Sequence, residues 1–323
     1  MRWSVVALVV LLGAACGEPS VQDRIDAIRR SGAHFAHASL PSPERIKELY
    51  PDTPDVTRDR GIRDSLLADQ DAAALLRAGD AAVPDLVRLL NDPERGTLAA
   101  VFLGEIGGKD AAVALLARWR ELRGKDQEKH LHLYAGGEIY PLGYTYERVD
   151  GRAYGEMIAS LCYVGRDVGK EIAKDTAAAM DEGERLQRDG EDLSFKEWRE
   201  EDDGKLNLTW SAEPVETACE GLKLLAMAGA PEGVDLFVRA LRSPVRAFRW
   251  EALQQHTYLG VGRDRTIPLV GALLDDPEWR AMAIEAISVV LKEVPAPDAS
   301  AAEQDKVVAR YKRKLQDLGY LAR

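Results

Sequence analysis

The strongest constraint on the fold is a segment that occurs twice, far apart in the chain. Residues 83–94 read VPDLVRLLNDPE and residues 267–278 read IPLVGALLDDPE, so the two align without a gap. They share two prolines, a Leu-Leu pair, an Asp and a Glu. In both copies a leucine-rich stretch ends in Asp-Pro, which stops a helix and favours a turn. Each copy therefore predicts one helix, a sharp turn and the start of a second helix.

The residues after the first copy support this prediction. Leu98, Val101, Phe102 and Ile106 have the spacing of one helical face, and two glycines at 107–108 can end that helix. A looser third copy, LFVRALRSP, occupies residues 236–244. A helical hairpin that recurs roughly every 30 residues is typical of a solenoid.

These motifs resemble HEAT repeats, in particular the short subtype first noticed in phycobilin-lyase-related proteins. The resemblance covers about residues 62–122 and 213–293. It implies an all-α fold, an α-solenoid of antiparallel helical hairpins. It implies little about activity, because one fold serves many functions.

The N-terminus carries a second recognisable pattern. Arg2 is followed by an uninterrupted apolar run at 5–12, and small residues at 13–15 lead to Cys16. The run is too short to span a bilayer core of roughly 30 Å. The segment resembles the signal peptide of a bacterial lipoprotein, which implies that Cys16 carries fatty-acyl chains such as palmitate. Gly13 departs from the family, which prefers Leu there, so ordinary cleavage and a retained anchor are the alternatives.

The middle of the chain departs from the repeat pattern. A tyrosine-rich segment at 130–155 alternates apolar and polar residues around Gly136-Gly137, which predicts a projecting β-hairpin. Residues 181–205 hold eleven acidic and five basic residues, a net charge of −6, and predict an acidic loop, with one or two helical turns in its SFKEWREEDDG run. A long helix is predicted between them, at 157–179. The C-terminal helix at 301–318 is expected to cap the last repeat, and its apolar stripe is Val307, Val308, Tyr311, Leu315 and Leu318.

The chain thus divides into a signal peptide (1–15), a lipidated tether with short helices (16–60), N-terminal HEAT-like repeats (61–129), an irregular middle region (130–212), and C-terminal repeats with a capping helix (213–323).

Two cysteines remain besides Cys16. Export would place Cys162 and Cys219 in an oxidising compartment, where they either form a disulfide or pack as buried thiols. His130 and His132 would face the same side of a strand and are weak candidates for a metal site, but no third ligand lies nearby in sequence. Trp119, Trp250 and Trp279 are expected in the core.

The candidates for partner binding lie in the two irregular segments. Tyrosine offers a large, stiff contact surface with a polar end, and exposed carboxylates can recognise a basic partner. The hairpin could instead fold back onto the repeats, and the acidic segment could be a solvated loop. The candidate residues are Tyr134, Tyr140, Tyr144, Tyr146, Trp198, Glu200, Glu201, Asp202 and Asp203.

A non-catalytic function is the main expectation. The sequence has no zinc-type cysteine pairs, no phosphate-binding loop with its Lys, and no Gly-x-Ser-x-Gly elbow. The net charge of −11 disfavours nucleic acid as a partner. We therefore expect a lipoprotein of the cell envelope, at the outer membrane or the periplasmic face of a membrane, that binds another envelope protein without a cofactor. The alternatives are a ligand- or metal-binding protein, or an enzyme related to the lyase-type repeat proteins.

Overall fold

The computed structural model describes residues 18–31, 61–123, 129–131, 144–146, 160–162, 164–193, 195–199, 206–210, 212–256, 258–259, 262–293 and 301–322. This part of the chain is mostly α-helical, which confirms the predicted all-α class.

The helices and strands follow one another in this order. The N-terminal part contains α1 (Val21–Ser31), α2 (Gly61–Ala68), α3 (Gln70–Ala78), α4 (Val83–Leu89), α5 (Gly96–Ile106) and α6 (Lys109–Leu122). The middle contains β1 (Lys129–Leu131), β2 (Tyr144–Tyr146), α7 (Gly169–Arg188), β3 (Phe195–Arg199) and β4 (Leu206–Trp210). The C-terminal part contains α8 (Glu213–Met227), α9 (Gly233–Arg242), α10 (Arg246–Gln255), α11 (Arg263–Leu273), α12 (Arg280–Val290) and α13 (Ala301–Asp317).

Most helices pack against helices one or two places away in sequence. In the N-terminal part, α4 packs on α5 and on α6, and α3 packs on α5. In the C-terminal part, α8 packs on α9 and α10, α9 packs on α10 and α11, and α10 packs on α12. Contacts with the next helix and with the one after it bury apolar faces along one continuous core.

The repeated sequence segments form equivalent turns. The Asp92 carboxylate accepts hydrogen bonds from the backbone N–H groups of Glu94 (2.9 Å) and Arg95 (3.0 Å). The Asp276 carboxylate accepts one from the Glu278 N–H (3.0 Å). In the third copy, Ser243 takes the place of the Asp, and its hydroxyl accepts a bond from the N–H two residues further on (3.2 Å). Short polar side chains before Pro thus close the turn in all three copies.

The same three turns also agree in their backbone hydrogen bonds. The N–H of Asp92, Ser243 and Asp276 donates in each case to the carbonyl three residues earlier, at 2.9, 3.1 and 3.1 Å. The sequence repeat is therefore also a repeat of local structure.

The described chain has a docked helix near each end. At the N-terminal end, α1 buries Ile25 and Ile28, and Arg95 forms two hydrogen bonds to the Asp26 carboxylate, at 2.8 and 3.0 Å. At the other end, α13 buries Tyr311 and Leu315 against the core, as the apolar stripe predicts. Leu318, the last residue of the predicted stripe, is 60% exposed, because it lies beyond the end of α13.

The tryptophans expected in the core occupy two environments. Trp119 and Trp279 are buried, whereas Trp250 is half-buried and packs against the edge of the core. Among the residues that the structure describes, no helix is both long and apolar enough to cross a membrane.

Candidate functional site

Four strands interrupt the helices in the middle of the chain. β1 pairs antiparallel with β2, with His130 opposite Thr145, and β3 pairs antiparallel with β4, with Trp198 opposite Asn207. The pairs are separate two-stranded sheets, but β1 lies beside β4. The first pair falls in the segment for which a hairpin is predicted, and β4 leads directly into α8. The structure thus places β1 beside a strand that begins 75 residues after β1 ends, at Leu206 rather than Leu131.

The predicted partner-binding residues divide between described and undescribed positions. Tyr144 and Tyr146 lie on β2, and Trp198 lies on β3. Those outside the described residues are Tyr134, Tyr140, Glu200, Glu201, Asp202 and Asp203. His130 lies on β1, while His132 and Cys16 also fall outside the described residues.

The acidic loop predicted for residues 181–205 does not begin at residue 181, so the start of this prediction is wrong. Residues 181–188 belong to α7, which runs to Arg188 rather than ending near 179. Two of their acidic side chains form ion pairs with arginines of the helices. Glu182 pairs with Arg185 of α7 (2.6 Å), and Glu184 pairs with Arg239 of α9 (2.8 Å). Helical i,i+3 pairing and a cross-helix partner reduce the repulsion that made this run look like a loop. The helical turns predicted in the SFKEWREEDDG run are wrong for residues 195–199, which form β3, and the rest of the run lies outside the described residues.

The structure supports the buried-thiol alternative for Cys162 and Cys219. Both are free and buried. The Cys162 thiol lies 3.4 Å from the Met227 sulfur, and the Cys219 thiol lies 3.7 Å from the Ala247 carbonyl oxygen. Because Met227 is eight residues beyond Cys219 on α8, the two thiols meet this helix at points about 12 Å apart. That exceeds the reach of a disulfide, so the structure does not fit the disulfide alternative.

No group of three metal-binding side chains occurs within the described ranges. The metal hypothesis at His130 and His132 stays a prediction, because His132 lies outside the described residues.

The most unusual chemistry of the described chain lies between α8 and α10. Glu220 and Lys223 on α8 are 8% and 6% exposed, and Glu251 on α10 is 1% exposed. These three are the buried Asp, Glu, Lys or Arg residues of the described chain. We call them, together with Trp119 and Gln255, the polar cluster.

Two hydrogen bonds organise the polar cluster. The Trp119 indole N–H donates to Glu220 Oε2 (3.0 Å), and the Gln255 amide donates to Glu251 Oε1 (2.8 Å). Within the described part of the chain, Glu251 Oε2 and Gln255 Oε1 receive no hydrogen bond. Buried acceptors without donors are costly, so a proton on Glu251 would relieve part of that cost.

The pKa of Glu251 is raised to about 7, mainly by burial and to a smaller extent by the nearby Glu220 charge, while Lys223 and the Gln255 hydrogen bond act in the opposite direction. Burial is the largest influence because an ionised carboxylate loses its hydration in the core.

The repeats show that this cluster is not required by the fold. In the alignment fixed by the three turns, Glu251 corresponds to Ala100 in α5 and to Ile284 in α12, both of which are buried. An apolar side chain therefore fills this position in two of the three copies. The sequence analysis above did not include Glu251, although comparing the aligned copies position by position would have singled it out.

Comparisons of the chain with known protein families, with characterised proteins and with solved structures gave no match.

Proposed function

We propose that this chain is a lipid-anchored envelope protein whose HEAT-like solenoid binds another protein without catalysing a reaction. The observation that carries the binding proposal is the placement of β1 beside β4, because it gathers the tyrosine-rich and acidic segments into one region.

The packing of the helices supports the solenoid. Most helix–helix contacts join helices one or two places apart in sequence, which is the pattern expected when helical hairpins stack in two layers. The three equivalent turns add support, since a stack of similar units requires similar connections. Stacked hairpins make extended surfaces, which such proteins use to bind partners.

The proposed partner has a basic or mixed surface. The chain carries a net charge of −11, and residues 200–203 are all acidic. Like charges are costly across an interface, so an acidic partner would bind poorly.

The position of α1 supports a short and rigid attachment to the membrane. Only four residues separate Cys16 from Val21, where α1 begins, and they can span at most about 17 Å between the two Cα atoms. Ser20 and Asp23 form reciprocal hydrogen bonds at the start of α1, which fix this end of the helix. With Cys16 acylated, the N-terminal end of the stack would lie against the bilayer, and the segment 16–60 would not act as a long tether.

The anchor is tested by Cys16→Ser. We expect the wild-type protein in the membrane fraction and the variant in the soluble fraction of the envelope. A variant that remains membrane-bound would rule out the acyl anchor while leaving the binding proposal intact.

The binding proposal is tested by crosslinking in intact cells, followed by purification of the tagged full chain. The test variant converts Glu200 and Glu201 to Gln, and Asp202 and Asp203 to Asn. These changes leave α7 intact, unlike a deletion of residues 181–205. A control variant removes four charges from the exposed residues Glu191, Asp264, Glu285 and Asp317.

We expect one dominant envelope partner with the wild type and the control, and its loss with the test variant. Recovery of the same partner with all three proteins would show that the acidic segment is not the binding surface. If none of them captures a partner, the scaffold proposal fails.

A further inference from the structure

The polar cluster has an unbalanced charge when all its groups are ionised. Glu220 and Glu251 carry two negative charges and Lys223 carries one positive charge, all within the buried joint between α8 and α10. A buried net charge is costly, and binding one proton would remove it. Glu251 Oε2 is the carboxylate oxygen that receives no hydrogen bond within the described chain.

The charged groups around Glu251 come from one neighbouring helix. From α8, the charges of Glu220 and Lys223 influence the pKa of Glu251. The Glu251 charge in turn helps to raise the pKa of the Cys219 thiol, also on α8. On its own helix, Gln255 donates to it. The other helices that pack on α10 are α9 and α12, and their charged side chains have other partners or are exposed. On α9, Arg239 pairs with Glu184, Asp235 pairs with Arg265, and Arg242 is exposed. On α12, Arg280 pairs with Asp305, and Glu285 is exposed.

We propose that the polar cluster is a proton-binding joint of the helical stack, in which ionisation of Glu251 changes the packing of α8 against α10. With the proton on Glu251, the cluster is neutral and the two helices pack closely. Without it, two carboxylates share a buried site with one ammonium group, and the joint relaxes to admit water or to separate them. Small rotations between neighbouring units set the curvature of a solenoid, so this joint would alter the shape of the whole stack.

The direction of the pH dependence follows from the raised pKa of Glu251. The folded protein holds this proton up to about pH 7, whereas a free glutamate loses it near 4.5. The folded state therefore binds more protons between these values, and the stability due to the protonated form is lost as the pH rises through that range.

The test measures the distance between two spin labels on opposite sides of the joint. Val113 of α6 and Val289 of α12 are 49% and 43% exposed and are suitable label sites when changed to Cys. The full chain carries Cys16→Ser, and the buried Cys162 and Cys219 are shielded from the label. Distances are recorded by pulsed electron resonance from about pH 5 to about pH 8.

We expect the distance distribution of the otherwise unchanged protein to shift with a midpoint near 7, the value for Glu251. Glu251→Gln keeps the shape of the side chain but cannot ionise, and Glu251→Ile introduces the side chain found at the aligned position of α12. Both variants should therefore show the same distance distribution at every pH. Glu191→Gln, a change at an exposed carboxylate, should shift like the parent. The proposal is overturned if the parent shows no shift, or if the two Glu251 variants shift as the parent does.

Discussion

Gly221 offers the sharpest test of how the helices pack. It lies on α8 against α7, and a Cβ atom built at this position would come within 2.0 Å of the Thr176 hydroxyl oxygen and 3.0 Å of the Thr176 Cβ. Real Cβ atoms do not approach other heavy atoms this closely, so Gly221→Ala must push α7 and α8 apart. The substitution thereby tests the close approach of these two helices directly.

The magnitude follows from two opposing effects. Inserting a methyl group into a packed interface costs about 1–3 kcal/mol, and the separation of only 2.0 Å between the added Cβ and the Thr176 hydroxyl oxygen places this case at the upper end. Replacing Gly by Ala inside a helix returns about 1 kcal/mol through its better helix propensity. We therefore expect Gly221→Ala to lower the free energy of unfolding by about 2 kcal/mol.

A double-mutant cycle separates the contact from other effects. Thr176→Ala removes the clashing hydroxyl and methyl groups, so Gly221→Ala should cost much less in that background. Urea unfolding followed by far-UV circular dichroism measures all four proteins. If Gly221→Ala is neutral in the wild type, or equally harmful in both backgrounds, α7 and α8 do not approach each other as the structure shows.

Two further predictions concern the repeat turns and the thiols. Asp276→Ala should lower the free energy of unfolding by about 1 kcal/mol, as for the loss of a helix cap, and Asp92→Ala should cost more. The reason is that Asp92 also accepts a hydrogen bond from the Arg95 guanidinium (2.7 Å), and equal losses in urea unfolding would contradict this. Cys162 and Cys219 should both react with a thiol reagent in denaturant without reductant, and neither should react in the folded protein, because burial raises the pKa of both thiols. Reaction that requires reductant would reveal a disulfide.

The local structure of the repeats follows directly from the sequence. The leucine spacing, the Asp-Pro pair and the two glycines at 107–108 act within a few residues of the chain, so they predict α4, the turn and α5 with their ends. Gly107 and Gly108 have positive φ angles of 76° and 85°, the conformation for which glycine is favoured. The apolar stripe of α13 is predictable for the same reason, because three- and four-residue spacing determines a helical face.

The acidic run shows where local reasoning fails. Residues 181–188 look like a loop because like charges accumulate there, yet they complete α7. Their stability in the helix comes partly from Arg239, 55 residues beyond Glu184. A partner at that distance cannot be read from a window of sequence.

The sequence alone determined the all-α class, the repeat unit and its turns, since these depend on short-range preferences of the backbone and on periodic apolar residues. Only the tertiary structure decided that Cys162 and Cys219 lie apart, that β1 lies beside β4, and that Glu251 meets Glu220 and Lys223. Each of these depends on how one helix or strand is placed on another that is distant in sequence. That placement is set by the tertiary packing of the described chain, in which the burial and electrostatic surroundings of a residue depend on side chains from helices distant in sequence.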